Sequence, residues 1–386
     1  MAEPLARQVF VTGSDPAAIA RVIVDKLGPP VGAGPPALPA LKIAFVFADS
    51  RLDSAALVAG LRALPAPVVG CTSIGVLGPG AASDMPSVSA LGLYGDWVRA
   101  GVGVASDLSK SPLTRARDAV HQAALGLGLT ADTLDPGRHV AITLVDGRCN
   151  HEEAFSIGSA AAAPQIRFIG GGASADLDRD QIPCVWAHGA THADAGVVVV
   201  LDSDQPFHAV TSSHLVPTTV KTVVTSATGR AIEELDGRPA VPRLRSLIAG
   251  IGDTLDEPRP MHAFARYIDG VPYVRALQRI TGTRLILASS VETGHILHVM
   301  RPGDLIRTMK RDLRTSADRV GGTMAAFLAF SCIGRHTEAA LRGNDPEMAA
   351  VFAGYPTVGL QSSSEQSGML MVNHTLTGLA IGALKP

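Results

Sequence analysis

Residues 42–71 read KIAFVFADSRLDSAALVAGLRALPAPVVGC. The first seven, Lys42–Ala48, are almost unbroken apolar residues, as in a strand buried on both faces. Ser54–Leu64 carries helical spacing, and Pro67–Cys71 is a second apolar run. Strand, helix, strand is the signature of an α/β fold. Upstream, Gln8–Thr12 forms a strand, Asp15 caps a helix reaching Leu27, and the Pro/Gly-rich residues 28–39 form a linker.

Downstream, Val88–Tyr94 and Trp97–Val104 flank Gly95-Asp96, which predicts an antiparallel hairpin. A helix over 112–127, a strand over 139–145 and a helix over 151–162 follow. Residues 181–226 hold several strands in succession, so the sheets are mixed. Further strands fall near 264–274, 284–288 and 295–300, with helices over 303–320 and 345–352. Strands at 324–331, 368–373 and 375–382 complete the pattern. The expected fold class is α/β, with mixed sheets, flanking helices and two domains.

One pattern occurs three times. Pro67-Val-Val-Gly70 leads into Cys71-Thr-Ser73, Arg167-Phe-Ile-Gly170 into Gly171-Gly-Ala-Ser174, and Pro356-Thr-Val-Gly359 into Leu360-Gln-Ser-Ser-Ser364. Each is an apolar strand, a glycine, a Ser/Gly-rich turn and returning strands. Glycine permits φ > 0 and close approach of a ligand, and hydroxyls with free N–H groups suit a polar or anionic group. Ordinary turn chemistry gives the same residues. The recurrence makes these turns the place to expect a pocket.

With 386 residues, 46% hydrophobic, the chain can bury a large core. Net charge is −2, charged residues are 18% and aromatics 4%, which excludes a basic, stacking nucleic-acid surface. No stretch approaches the roughly 20 apolar residues of a membrane span, and no targeting signal is visible, so the expected location is cytoplasmic. Cys71, Cys149, Cys184 and Cys332 form no CxxC pair and read as reduced, mostly buried thiols.

The 12 histidines include no HExxH, CxxCH or zinc spacing, so no metal site is expected. There is no G-x-S-x-G elbow, P-loop or GxGxxG. Glu152-Glu153 could do acid–base work, but behind an Asn150 cap they suit the first turn of a helix. Cys149 or Cys332 beside a histidine would be needed for an enzyme, a minor alternative to a binding module or an adaptor.

The three turns and their surroundings resemble FIST domain proteins. Gly70-Cys-Thr-Ser73 is similar to a "GCST" turn, with Val76 where the family carries an acid. Gly170-Gly-Gly-Ala-Ser-Ala-Asp176 resembles "GGSAGD", and Val198–Phe207 the strand after it. Glu234-Leu-Asp-Gly-Arg-Pro-Ala240 resembles the boundary between N- and C-terminal FIST domains. Phe330-Ser-Cys-Ile-Gly-Arg335 and Asn373-His-Thr-Leu-Thr377 resemble C-terminal motifs. The resemblance implies residues 1–39 as an N-terminal segment, 40–232 as one FIST domain and 233–386 as the other. It implies a cytoplasmic bacterial sensor, not an enzyme, that binds an amino-acid-like ligand and signals through a partner. Ligand residues would be Cys71, Thr72, Ser73, Asn150, His151, Gly171, Ser174, Asp176, Arg335, Ser363 and Glu365. Asp176, Glu365 and Arg335 would anchor charged ends. Some relatives are similar to haem-binding nitric oxide sensors acting on histidine kinases, diguanylate cyclases or phosphodiesterases. Under that alternative, His214 is the first axial candidate for haem and His336 the second, with Arg335 for a propionate.

Overall fold

The computed structural model describes residues 5–29, 39–79, 85–176, 181–255, 261–268 and 270–383. Most of the linker expected at 28–39 lies outside them, as do Pro258 and Pro260.

Three copies of one unit build the body. The first comprises β1 (Ala6–Thr12), α1 (Pro16–Leu27), β2 (Leu41–Asp49), α2 (Ser54–Leu61), β3 (Val68–Ser73), β4 (Val76–Leu77) and β5 (Ser87–Tyr94). The second comprises β6 (Val98–Ala105), α3 (Pro112–Gly126), β7 (His139–Asp146), α4 (Glu152–Ala162), β8 (Arg167–Ala173), β9 (Val185–Ala187), β10 (Ala190–His192) and β11 (Gly196–Ser203). The third starts with β12 (Phe207–Ser212) and is then interrupted. The insert holds β13 (Leu215–Thr228), β14 (Ala231–Leu235), β15 (Arg238–Pro239), α5 (Ala240–Ala249), β16 (Ala263–Ile268), β17 (Val271–Thr281), β18 (Arg284–Leu287) and β19 (Ile296–Pro302). The unit resumes with α6 (Leu305–Arg319), β20 (Met324–Cys332), α7 (Ile333–Arg342), α8 (Asp345–Ala353), β21 (Thr357–Ser362), β22 (Glu365–Ser367), β23 (Leu370–Val372) and β24 (Leu376–Gly382).

The sheets run β1-β5-β2-β3-β9-β10, β6-β11-β7-β8-β22-β23 and β12-β24-β20-β21-β4. Each has one parallel pair at its centre: β2 with β3, β7 with β8, β20 with β21. The short strands after each turn cross over in a cycle. β9 of the second unit pairs with β3 of the first, β22 of the third with β8 of the second, and β4 of the first with β21 of the third. The Gly95-Asp96 turn therefore does not close the expected hairpin. β5 pairs with β1 and β2, whereas β6 leaves to pair with β11, because each strand finds its register in its own unit.

One face of every sheet points to a shared core: Phe45 and Phe47 from β2, Ile142 and Leu144 from β7, Leu328 and Phe330 from β20. The other faces are covered by α1 and α2, by α3 with Phe155 of α4, and by α6 and α8. Central strands buried on both sides explain the unbroken apolar runs. Asp15, Asp53 and Asp304 cap α1, α2 and α6 by accepting N–H bonds. The insert closes on itself through β13 and β14 into a barrel with its own apolar interior. The Glu233–Ala240 stretch lies within that barrel. Among the described residues, no helix is long and apolar enough to cross a membrane.

Candidate functional site

The three Ser/Gly turns meet. Ser73 Oγ lies 2.9 Å from the Gln361 carbonyl, and Ser174 Oγ donates to that carbonyl at 2.8 Å. Ile74 N–H donates to Ser174 Oγ. Gly172 N–H donates to Ser364 O, Ser363 N–H to Gly172 O, and Ser363 Oγ to Ala173 O. The turn hydroxyls are thus largely spent on one another's backbone. Cys71, Thr72 and Ser73 are buried behind this junction, and Gly171 packs on Phe330 and Ser362. Gly70, Gly170 and Gly359 are not at positive φ. What approaches them is the neighbouring strand, since an added Cβ would overlap the carbonyl of Val46, Thr143 or Ala329.

Beside the junction lies a cavity of about 300 Å³. The second unit contributes Gly147, Arg148, Glu152 and Ala173–Ala175; the third contributes Cys332–Gly334, Thr337, Ser363, Ser364 and His374. The barrel closes it with Arg230, Met261, Ala276–Gln278 and Ala288. Of the residues expected to bind ligand, Ser174 and Ser363 are on this wall. Asn150 is exposed at φ +57°, and His151 is half-buried at the start of α4. Asn150 does not cap that helix: His151 holds the cap position and makes no side-chain cap bond.

The three expected charged anchors do not line the cavity. Glu365 is buried, accepting from Ser362 Oγ at 2.6 Å and Thr375 Oγ1 at 2.9 Å. Burial outweighs those bonds and pushes its carboxyl up to about 8. Arg335 has no exposed surface, and burial pulls its guanidinium down to about 10. Asp176 is half-buried. The wall's charged groups are instead Arg148, Glu152 and Arg230. Glu152 is 3% exposed and pairs with Arg230 at 2.9 Å, while Glu153 pairs with Arg275 at 2.6 Å. These acids clamp α4 to the barrel, a role beyond helix-dipole complement. Burial raises the Glu152 carboxyl despite Arg230.

His214 and His336 do not fit a haem. Neither lines the cavity. The His214 side chain is 0% exposed, with Nε2 bonded to Glu338 at 2.7 Å. His336 Nε2 is enclosed without a partner, and burial beside Arg335 pushes its imidazole down to about 3. The thiols are equally unsuited to nucleophilic work. Burial raises Cys71, Cys184 and Cys332, and pushes Cys149 up to about 12. Alkylation of native protein at neutral pH is therefore expected to leave all four thiols largely unmodified, with four adducts per chain in denaturant. Rapid native labelling at one cysteine, read by mass spectrometry, would contradict this.

The sequence reading missed α7, Arg148, Arg230 and the barrel wall. A helix after Cys332 was signalled by Ile333, Ala339 and Ala340 but masked by Gly334. No curated protein matches the chain. Among solved structures it is similar to cyanuric acid hydrolase from A. caulinodans, at 12% identity over 98% of this chain and 99% of that one, with a TM-score of 0.34. The family profile described as FIST N domain matches residues 42–238, just over half of the sequence. Those residues run from β2 through the second unit and β12 to the first two strands of the barrel, and the chain belongs to the FIST family of small-ligand sensory domains.

Proposed function

We propose that the protein senses an amino-acid-like ligand in the cavity between the body and the barrel and passes the signal to a partner protein. The observation that carries this reading is the wall itself, which draws on two repeat units and the inserted barrel. A ligand held there ties three parts of the molecule together. The volume is at the small end of ligand pockets, which suits an amino acid. α7 starts at the wall without a side-chain cap, so its first N–H groups, near Ile333 and Gly334, and the helix dipole favour a carboxylate. Arg148 adds positive charge on the same wall, and Glu152 offers a partner for an ammonium. Ligand closure would tighten the Glu152–Arg230 and Glu153–Arg275 clamps, and a partner reading the barrel's position would receive the signal.

The test is a thermal-shift screen of amino acids and small carboxylic acids against the purified protein. A matching ligand at one hundred times its Kd adds about 2.7 kcal/mol to stability, seen as a raised Tm. Ala288→Trp fills the cavity from its half-buried barrel wall and should abolish the shift while leaving the unliganded Tm near its original value. An entirely silent screen, or an undiminished shift in Ala288→Trp, would remove this site from consideration.

A further inference from the structure

We propose that His214, Glu338 and His374 form a binding site for a divalent first-row transition-metal ion, held by two imidazole nitrogens and one carboxylate. The three donors all lie within 4.8 Å of one another and all three residues are buried. They come from separate elements brought to one end of the third sheet. β12 and β24 pair with Ser212 opposite Leu376, so His214 and His374, each two residues further on, stand opposite beyond the end of that ladder. α7 follows β20 directly and delivers Glu338 between them.

Both Nε2 atoms converge on the same oxygen, Glu338 Oε2, at 2.7 and 2.9 Å. Tetrahedral ligands about 2.0–2.1 Å from a metal stand only slightly farther apart than this, so a small outward shift admits the ion. The other oxygen, Oε1, faces Arg342 at 3.1 Å, whose side chain is 41% exposed and has room to swing outward. Arg335 is the second cation facing Glu338, with Glu365 on its other flank.

Two further observations single the cluster out. His374 sits at φ +57°, a left-handed conformation uncommon for a non-glycine residue. His214 Nδ1 is buried without a hydrogen-bond partner, as are both amide atoms of Asn373 next to His374. Only His374 of the three donors lines the cavity. Two imidazoles and a carboxylate suit zinc or ferrous iron, and no thiolate belongs to the set.

Chelator-treated full-length protein is titrated with Co²⁺ as probe. One ion per chain should bind, with a visible ligand-field band, no thiolate-to-cobalt charge-transfer band, and displacement by Zn²⁺. His374→Ala and Glu338→Gln should each weaken binding by more than about 100-fold, beyond the loss typical of an outer-shell partner. His262→Ala, at a buried histidine paired with Asp253 elsewhere, should bind as before. Circular dichroism verifies the fold of each variant, and the cobalt spectrum of the unmodified protein stands even where a variant does not fold. Less than one ion per chain, a charge-transfer band, or undiminished binding in both folded variants overturns the proposal. The titration contains no organic ligand, so its outcome is independent of the amino-acid screen.

Discussion

Gly170→Ala is expected to destabilise the protein by about 3 kcal/mol or more, the upper end of overpacking costs. The added methyl would overlap Thr143 O and Oγ1 on the parallel neighbour β7, which is itself locked between β8 and β11. A flexible side chain could turn away, but a ladder carbonyl cannot. Gly70 faces Val46 and Gly359 faces Ala329 in the same register relation, so Gly70→Ala and Gly359→Ala should behave alike. Gly250→Ala is the control. Gly250 is at φ −66° with no contact closer than 3.4 Å, and alanine there should be neutral or mildly stabilising. Urea denaturation of the four variants gives the comparison. An unchanged midpoint for Gly170→Ala would mean that strand approach is not what the repeated glycine provides.

Arg230→Met should cost about 3 kcal/mol at about pH 8, because it strands the buried Glu152 carboxylate without its partner. The deficit should shrink toward about pH 5. Glu152 already has a folded-state value above its unfolded one, and losing Arg230 raises it further. In the window between those values the folded state keeps the proton that the unfolded state has lost, so stability falls as pH rises. Below the window Glu152 is protonated in both states and the missing arginine matters little. Glu152→Gln combined with Arg230→Met should recover most of the loss, as replacement of both partners commonly does. A deficit equal at both pH values would place the effect in packing and not in charge.

Much of the body was legible locally. Lys42–Ala48 reads as a doubly buried strand because each face meets apolar matter, the core on one side and helices on the other. Asp15 marks the start of α1, whereas the caps Asp53 and Asp304 were not read as such and α6 starts at Leu305, two residues after the expected position. The repeated turns were visible because three units place the same glycine against the same carbonyl. What was not legible depends on distance along the chain. Glu152 and Arg230 are 78 residues apart, and nothing near either names the other. The barrel's contribution to the cavity comes from Ala276, Leu277 and Ala288, whose types carry no chemical signal. Asp176, Glu365 and Arg335 drew attention through the family resemblance, yet Glu365 and Arg335 serve inside the fold. His214 was noticed through the resemblance to haem-binding relatives, while its neighbours Glu338 and His374 are 124 and 160 positions away and meet it only through sheet order and the helix after β20.

The cyclic crossing of short strands constrains how the chain can be made. While the second unit is being synthesised, the outer edge of β8 presents unpaired N–H and C=O groups. Its partner β22 is encoded at residues 365–367, close to the last described residue. β21 in turn waits only for β4, made nearly 300 residues earlier. Every unit thus depends on a strand from another, and the ring closes only once the third is present. Such non-local pairing favours slow folding and leaves a sticky sheet edge exposed during translation. A fragment ending at residue 238 would keep that edge bare, which makes the whole chain, and not its family-matched half, the natural unit for biochemical work.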